Sequence, residues 1–225
     1  MSIHNDKTLE GYKKGGAKSY IKDNIEQPEQ EKWDRLFKYV VELLNGDTSK
    51  RIVEFGSGFG QIALMLQEAG YDVTASDADD DFLENQRNIG VNKVQKFNFL
   101  KQNFAEVFGF NPDLILSWRN PHLDKDDVRS LFKVAHDALA DDGLFVVNLQ
   151  NLEVHSDAEV LPNGTRYNYK ILDDRPNMPE RFFAYYTMED INEFIDGLFT
   201  IGEYHTEGGS EKKNWHVGAY VKVKK

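Results

Sequence analysis

Carboxylates and glycines are closely spaced near residue 55, and these residue types suit a nucleoside-containing ligand. Glu54 precedes three glycines, Gly56, Gly58 and Gly60, and Asp77 follows further along the chain. Glycines let the backbone turn sharply, and they leave room for a ligand because they have no Cβ. A carboxylate such as Asp77 can accept hydrogen bonds from both ribose hydroxyls of an adenosine. The pattern therefore indicates a nucleoside site with Asp77 as the ribose acceptor.

The segments around these residues predict the elements that must position them. Residues 52–55 form a short apolar run typical of a strand, residues 61–69 have a helical pattern, and residues 72–76 form a second apolar run. The predicted order is strand, glycine-rich turn, helix, strand. The turn would then place the first free N–H groups of the helix beside the ligand, and Asp77 would stand at the end of the second strand.

The spacing of the glycines distinguishes two classes of cofactor. A dinucleotide fingerprint reads Gly-x-Gly-x-x-Gly, whereas here the third glycine comes one residue earlier and an acid precedes the first glycine by two positions. This stretch resembles motif I of the class I S-adenosylmethionine-dependent methyltransferases of the small-molecule type. The resemblance covers about residues 50–225. It implies S-adenosyl-L-methionine as the cofactor and in-line transfer of its methyl group to oxygen or nitrogen of a small molecule.

Other functions stay open at this point, among them methylation of a protein instead of a small molecule. An NAD-dependent oxidoreductase would also place an acid after a glycine-rich turn, although its third glycine would lie elsewhere. A non-catalytic member of the same fold would keep the cofactor site and serve as a binding or regulatory protein.

The alternation of strand and helix patterns continues to about residue 150 and predicts an α/β fold with a doubly wound, mostly parallel sheet. The run at 114–117 is almost wholly apolar, as in a strand that is buried on both faces. In the last third, residues 199–205 and 215–223 predict an antiparallel hairpin at the sheet edge. The resemblance implies a seven-stranded, Rossmann-like methyltransferase sheet that ends in this hairpin.

We expect one methyltransferase domain over residues 29–225, with residues 1–28 as an N-terminal arm or lid. The arm is largely polar, and its Tyr12 and Tyr20 are candidates to cover the cofactor. Residues 151–186 are rich in aromatic residues and predict an insertion in the acceptor region, where an Asn163-Gly164 pair favours a hairpin turn. Those aromatic residues could line an acceptor pocket or form core beneath the insertion.

The resemblance also assigns individual residues to the cofactor. These are Glu54, Gly56, Ser57, Gly58, Gly60, Asp77, Ala78, Asn103, Phe104 and Ser117. Asn103 stands where the family usually has an acid that accepts from the adenine amino group, and Phe104 would lie against the ring. A surface loop is the competing interpretation of this segment.

Candidate acceptor residues follow the fourth predicted strand, at the rim where open α/β sheets bind ligands. His122 is a candidate general base because the unperturbed pKa of histidine is near neutrality, and a role in capping the next helix is the alternative. Arg119 could hold a carboxylate or phosphate in a bidentate contact, or pair with a nearby acid. Trp118 and Tyr20 are further candidates for substrate binding.

The amino-acid composition excludes some classes of partner and favours one cellular compartment. The 225 residues carry a formal net charge of −11 and include no cysteine. We expect no nucleic-acid partner, because this charge repels phosphate, and no thiolate chemistry or disulfides. No apolar run approaches membrane-spanning length and the first residues are polar, which favours a cytoplasmic protein without a membrane partner. No spacing typical of a metal site is present, and the oligomeric state stays open.

Overall fold

The most apolar runs form the centre of the sheet, as expected for parallel strands that are buried on both faces. In the computed structural model, β1 (Arg51–Phe55) lies between β2 (Asp72–Asp77) and β4 (Leu114–Ser117) and is parallel to both. The structure describes residues 6, 8, 10–26, 30–118, 122–154, 157–170, 181–207 and 215–223.

The remaining strands complete one large and one small sheet. They are β3 (Val94–Lys96), β5 (Leu144–Gln150), β6 (Glu159–Val160), β7 (Arg166–Lys170), β8 (Arg181–Tyr185), β9 (Phe199–Glu207) and β10 (Trp215–Lys222). The large sheet has the order β3-β2-β1-β4-β5-β10-β9, and only β10 and β9 run antiparallel to their neighbours. The predicted doubly wound sheet with a C-terminal antiparallel hairpin is confirmed.

Helices cover both faces of the large sheet. They are α1 (Ala17–Glu26), α2 (Gln30–Leu43), α3 (Gln61–Glu68), α4 (Asp80–Asn88), α5 (Phe104–Phe108), α6 (Lys125–Ala138) and α7 (Met188–Ile195). A five-residue π-helix, Tyr12–Gly16, leads into α1. No helix in the described ranges is long and apolar enough to cross a membrane.

The core has two parts, one on each side of the sheet. On one side, α2 and α3 bury Leu36, Val40 and Leu66 against the strands. On the other side, Phe132 from α6 and Phe194 from α7 lie among aromatic side chains from β5, β9 and β10. Burial of such side chains contributes roughly 1.5–3 kcal/mol each, and it fixes the strand ends that carry the site.

The predicted hairpin at Asn163-Gly164 joins β6 and β7, and β8 completes a three-stranded antiparallel sheet. Gly164 has a φ of +79°, which glycine adopts without strain. The small sheet is tied to the start of α6, because the Tyr186 hydroxyl donates to the Leu123 carbonyl and the Lys125 N–H donates to the Thr165 hydroxyl at 2.9 Å. The small sheet is therefore held close to the end of β4.

Successive aromatic side chains of β8 point to opposite faces of the strand and so have different neighbours. Phe182 lies in the core against Tyr167, at a ring distance of 5.4 Å, whereas Phe183 contacts the ring of His122 at 5.1 Å. The core interpretation of this aromatic cluster therefore holds for Phe182, whereas Phe183 lies on the opposite face of the strand, towards His122.

Candidate cofactor and acceptor site

A cavity of about 190 Å³ opens at the carboxyl ends of β1, β2 and β4, which is where open α/β sheets bind ligands. The strand ends and the glycine turn contribute Glu54, Gly56, Ser57, Gly58, Phe59, Asp77 and Ala78. The segments after β3 and β4 contribute Phe97, Asn98, Phe99, Trp118, His122 and Leu123. The helices and the N-terminal segment contribute Thr8, Tyr12, Tyr20, Trp33, Gln61, Ile62 and Phe82.

The turn after β1 keeps its shape through its glycines and one serine. Gly56 and Gly58 have φ values of +64° and +54°, and an added Cβ at either would meet nothing within 4 Å. The requirement for glycine there is conformational, and the space beside the turn stays open. Ser57 ties the turn to β2, because its N–H donates to the Ser76 carbonyl and its Oγ accepts from the Ser76 N–H, both at 2.9 Å.

Gly60 has a different role from the one that the motif suggested, since it does not line the cavity. Its φ is +90°, and an added Cβ would lie 2.7 Å from Cγ of Gln86 on α4. Gln86 in turn donates to the Gly58 carbonyl at 2.7 Å. Gly60 therefore allows α4 to pack closely against the start of α3. This packing places Gln86 where it can hydrogen-bond to the turn.

Glu54 lines the cavity, and one of its carboxyl oxygens lacks a hydrogen-bond donor among the described residues. The residue is 3% exposed, and Oε2 has no hydrogen-bond partner within the described part of the chain. Burial raises the pKa of Glu54 to about 8, against a smaller lowering effect of the nearby Ser57 hydroxyl. A buried acceptor without a donor is costly, so this atom is suited to a cationic or N–H-bearing ligand group.

Asp77 lies at the end of β2, where the sequence predicted it. Its carboxylate accepts from the N–H groups of Gly58 at 2.9 Å and Asp79 at 3.0 Å, so lone pairs remain for a ligand. Burial raises the pKa of Asp77 to about 6, partly offset by these hydrogen bonds. The neighbouring Asp79 is the residue that caps α4, since it accepts from Asp81 and Phe82. Asp79, and not Asp77, therefore caps this helix.

The structure does not bring Asn103, Phe104 or Ser117 to this cavity. Asn103 caps α5, because its side chain accepts from the N–H groups of Ala105 and Glu106. Phe104 stacks on Phe108 at a ring distance of 4.4 Å, and Ser117 is fully buried. The structure thus gives these residues other roles and does not support their assignment to the cofactor. The chain turns earlier than the pattern predicted, and Asn98 and Phe99 occupy the wall instead.

His122 lies beyond β4, in contact with β8. Its Nδ1 lies 2.5 Å from the Phe182 carbonyl, which requires Nδ1 to carry the proton and leaves Nε2 as an acceptor in the neutral ring. Desolvation of the ring, with a contribution from the charge of Arg181, lowers the pKa of His122 to about 4. The imidazole is therefore neutral at pH 7 and has a fixed tautomer, as a proton acceptor requires.

Two of the other predicted acceptor residues, Trp118 and Tyr20, line the cavity. Trp118 is 7% exposed and lines the cavity, and its Nε1–H has no hydrogen-bond partner among the described residues. Arg119 lies outside the described residues. Tyr20 lines the cavity and contacts Phe59 and Phe82, with ring distances of 6.1 and 6.0 Å.

The N-terminal segment covers the cavity with aromatic rings. Tyr12 lies 5.5 Å from the ring of Phe82 and 6.4 Å from that of His122. Trp33 on α2 is buried and also lines the cavity against Phe59. The helical spacing of the apolar residues in α2 accounts for the burial of Trp33, but this spacing carries no signal that the residue also borders a cavity.

Comparisons with known proteins agree with this architecture. A family model described as a methyltransferase domain matches residues 27–193. YqeM of Bacillus subtilis (strain 168), provisionally named a methyltransferase, is 29% identical over 123 residues, which are 51% of this chain and 47% of that protein. The chain spans between 47% and 59% of the length of the curated relatives it matches.

Solved structures share the fold at low sequence identity. An S-adenosylmethionine-dependent methyltransferase from Clostridium acetobutylicum ATCC 824 superposes with a TM-score of 0.64 at 15% identity, over 91% of this chain and 96% of that one. The glycopeptide N-methyltransferase MtfA, complexed with S-adenosylhomocysteine, gives a TM-score of 0.63 at 13% identity, over 82% of this chain and 88% of that one. Because the family model matches more than half of its residues, the chain belongs to the methyltransferase domain family, as its glycine-rich motif predicted.

Proposed function

We propose that the protein is an S-adenosylmethionine-dependent methyltransferase that acts on oxygen or nitrogen of a small molecule. The observation that carries the proposal is a cavity with two buried carboxylates, Glu54 and Asp77, whose pKa values are both raised by burial. Such a site favours a ligand that brings positive charge. S-Adenosylmethionine has an ammonium, a sulfonium and a ribose, whereas the pyrophosphate of NAD would bring further negative charge to these carboxyl groups.

Residues of the chain suit each part of this cofactor. Asp77 would accept from the ribose hydroxyls, and the unpartnered Oε2 of Glu54 would accept from the ammonium. Ala78, Asn98 and Phe99 would border the adenine, a role that we reassign from Asn103 and Phe104. When bound, the cofactor supplies an activated methyl group on its sulfonium.

The protein itself has to enclose the acceptor and exclude water, and it has to receive a proton where the attacking atom must lose one. Tyr12, Tyr20 and Trp33 cover the cavity, which supports an enclosed small-molecule acceptor and a lid role for the N-terminal segment. His122 can receive the proton on Nε2, because Nδ1 is committed to the Phe182 carbonyl. With a pKa near 4, His122 would accept this proton only as positive charge develops on the attacking atom.

Thermal unfolding with two ligands tests the cofactor. S-Adenosylhomocysteine at about 100 times its dissociation constant should stabilise the native state by about 2.7 kcal/mol, and NAD at the same concentration should leave the melting temperature unchanged. Equal or greater stabilisation by NAD would overturn the proposal. Release of S-adenosylhomocysteine from S-adenosylmethionine in the presence of a metabolite panel would separate an enzyme from a cofactor-binding protein that has no activity.

Cofactor binding should depend on pH through Glu54. With a pKa of about 8 in the empty site, Glu54 is mostly protonated at pH 7, and pairing with the ligand ammonium favours its ionised form. Binding of S-adenosylhomocysteine should therefore release a proton at pH 7, and affinity should rise by up to about tenfold per pH unit towards pH 8.

Calorimetric titrations at pH 7 in phosphate and in Tris, whose ionisation heats differ, measure this proton. Glu54→Gln should abolish the release, and Glu68→Gln, at an exposed position of α3, should preserve it. Equal proton release in wild type and Glu54→Gln would show that the ammonium does not bind at Glu54.

A further inference from the structure

A buried arginine lies beside the acceptor side of the cavity and takes no part in cofactor binding or in proton transfer. Arg181, the first residue of β8, is 7% exposed, and its Nε has no hydrogen-bond partner among the residues that the structure describes. It forms no ion pair with a carboxylate in the same described ranges. Burial of a guanidinium without an anion is unfavourable, so a position of this kind needs a partner to compensate for the lost solvation.

The geometry of β8 directs Arg181 to the acceptor side. Residues two apart on a strand share a face, and Phe183 uses that face to contact the ring of His122 at 5.1 Å. The guanidinium carbon of Arg181 lies 5.6 Å from the Phe183 ring centre. Its charge also reaches both cavity residues nearby, since it hydrogen-bonds to the Tyr12 side chain and lowers the pKa of His122.

We propose that Arg181 binds an anionic oxygen group, a carboxylate or a phosphate, on the methyl acceptor. This inference rests on the proposed methyltransferase function and specifies its substrate class. The planar guanidinium has five N–H donors arranged as a fork that matches either anion. The Tyr12 hydroxyl is a neutral partner, and the fork retains donors beyond it. The neighbouring rings of Tyr12, His122 and Phe183 suit an aromatic or other flat body attached to that anion.

The competing role for Arg181 is to hold Tyr12 over the cavity. The two roles make different predictions, because an arginine that only secures Tyr12 would show no preference between an anion and a neutral analogue of the same shape. An anion site would discriminate strongly, since loss of the charge leaves the guanidinium unpaired.

The test uses protein saturated with S-adenosylhomocysteine and four probes of similar size. Benzoate and phenyl phosphate carry the two candidate anions, and benzamide and phenol are their neutral counterparts. Binding is measured by calorimetry for wild type, Arg181→Leu, Arg181→Lys and the control Arg166→Leu, which replaces an exposed arginine on the adjacent strand β7. Titration of S-adenosylhomocysteine into each variant tests the cofactor site separately.

Wild type should bind at least one anion saturably, and whichever of benzoate and phenyl phosphate binds more tightly identifies the anion. Arg181→Leu should weaken that binding by about 10- to 100-fold, Arg181→Lys should weaken it less, and Arg166→Leu should leave it unchanged. Affinity for S-adenosylhomocysteine should stay within about twofold in all variants that fold.

Three results would overturn the anion site: no saturable binding of either anion to wild type, equal binding of benzamide and benzoate, or undiminished anion binding by Arg181→Leu. If Arg181→Leu does not fold, two measurements still test the anion site. One is the anion affinity of Arg181→Lys relative to wild type, and the other is the ratio of anion affinity to neutral-probe affinity in wild type. Failure of the wild-type protein to bind S-adenosylhomocysteine would instead refute the cofactor assignment.

Discussion

Replacement of Asp77 by alanine should weaken binding of S-adenosylhomocysteine by about 10²–10⁴-fold. The carboxylate is 8% exposed and faces the cavity. It would make two charge-assisted hydrogen bonds to the ribose, each worth about 1.5–3 kcal/mol, and about 1.4 kcal/mol corresponds to a tenfold change in affinity. A further part of the loss would come from the glycine turn, because Asp77 also accepts from the Gly58 N–H.

Calorimetric titration measures this effect, and Asp80→Ala is the matched control. Asp80 lies at the start of α4 and pairs with Lys96 at the protein surface, so its replacement should leave the affinity within about twofold. Circular dichroism of Asp77→Ala should show the native fold. Normal cofactor affinity in Asp77→Ala would mean that the ribose binds elsewhere and that this carboxylate only supports the turn.

Replacement of His122 by alanine should lower kcat by about 10²–10⁴-fold, the range typical of a lost general base, with the affinity for S-adenosylhomocysteine unchanged. The Phe182 carbonyl fixes the tautomer and orientation of the ring, so the effect should fall on turnover. A pKa of about 4 means that protonation of His122 would reduce kcat only as the pH falls towards 4. The profile should therefore show no His122 inflection between pH 5 and 8.

Steady-state kinetics with the natural acceptor test this role, and His205→Ala is the control because His205 is exposed on β9. Unaltered kcat in His122→Ala would show that the reaction proceeds by alignment of the acceptor alone. An equal loss in both histidine variants would indicate a general effect on stability rather than a proton transfer.

The parts of the site that are local in sequence could be predicted from it. Glu54, the glycines and Asp77 belong to one strand-turn-helix-strand unit, so their order along the chain determines their neighbours in space. The near-continuous apolar run at β4 similarly predicted a central strand, and the structure confirms it. These predictions needed only the period of the pattern and the conformational freedom of glycine.

Residues whose position depends on a loop or on packing between distant segments could not be assigned in this way. Asn98 rather than Asn103 reaches the cavity because the chain turns directly after β3, where the Asn98 side chain accepts from the Leu100 N–H. Arg181 reaches the acceptor side only because the small sheet packs near the end of β4. No local pattern in the sequence specifies that packing.

A structure of the protein with S-adenosylhomocysteine bound tests the central claim most directly. We expect both ribose hydroxyls within about 3.2 Å of the Asp77 carboxylate and the amino group of the ligand at the same range from Glu54 Oε2, the distance typical of hydrogen bonds. The ligand sulfur should face His122. An adenosine bound away from Asp77, or a ligand amino group directed away from Glu54, would contradict the account.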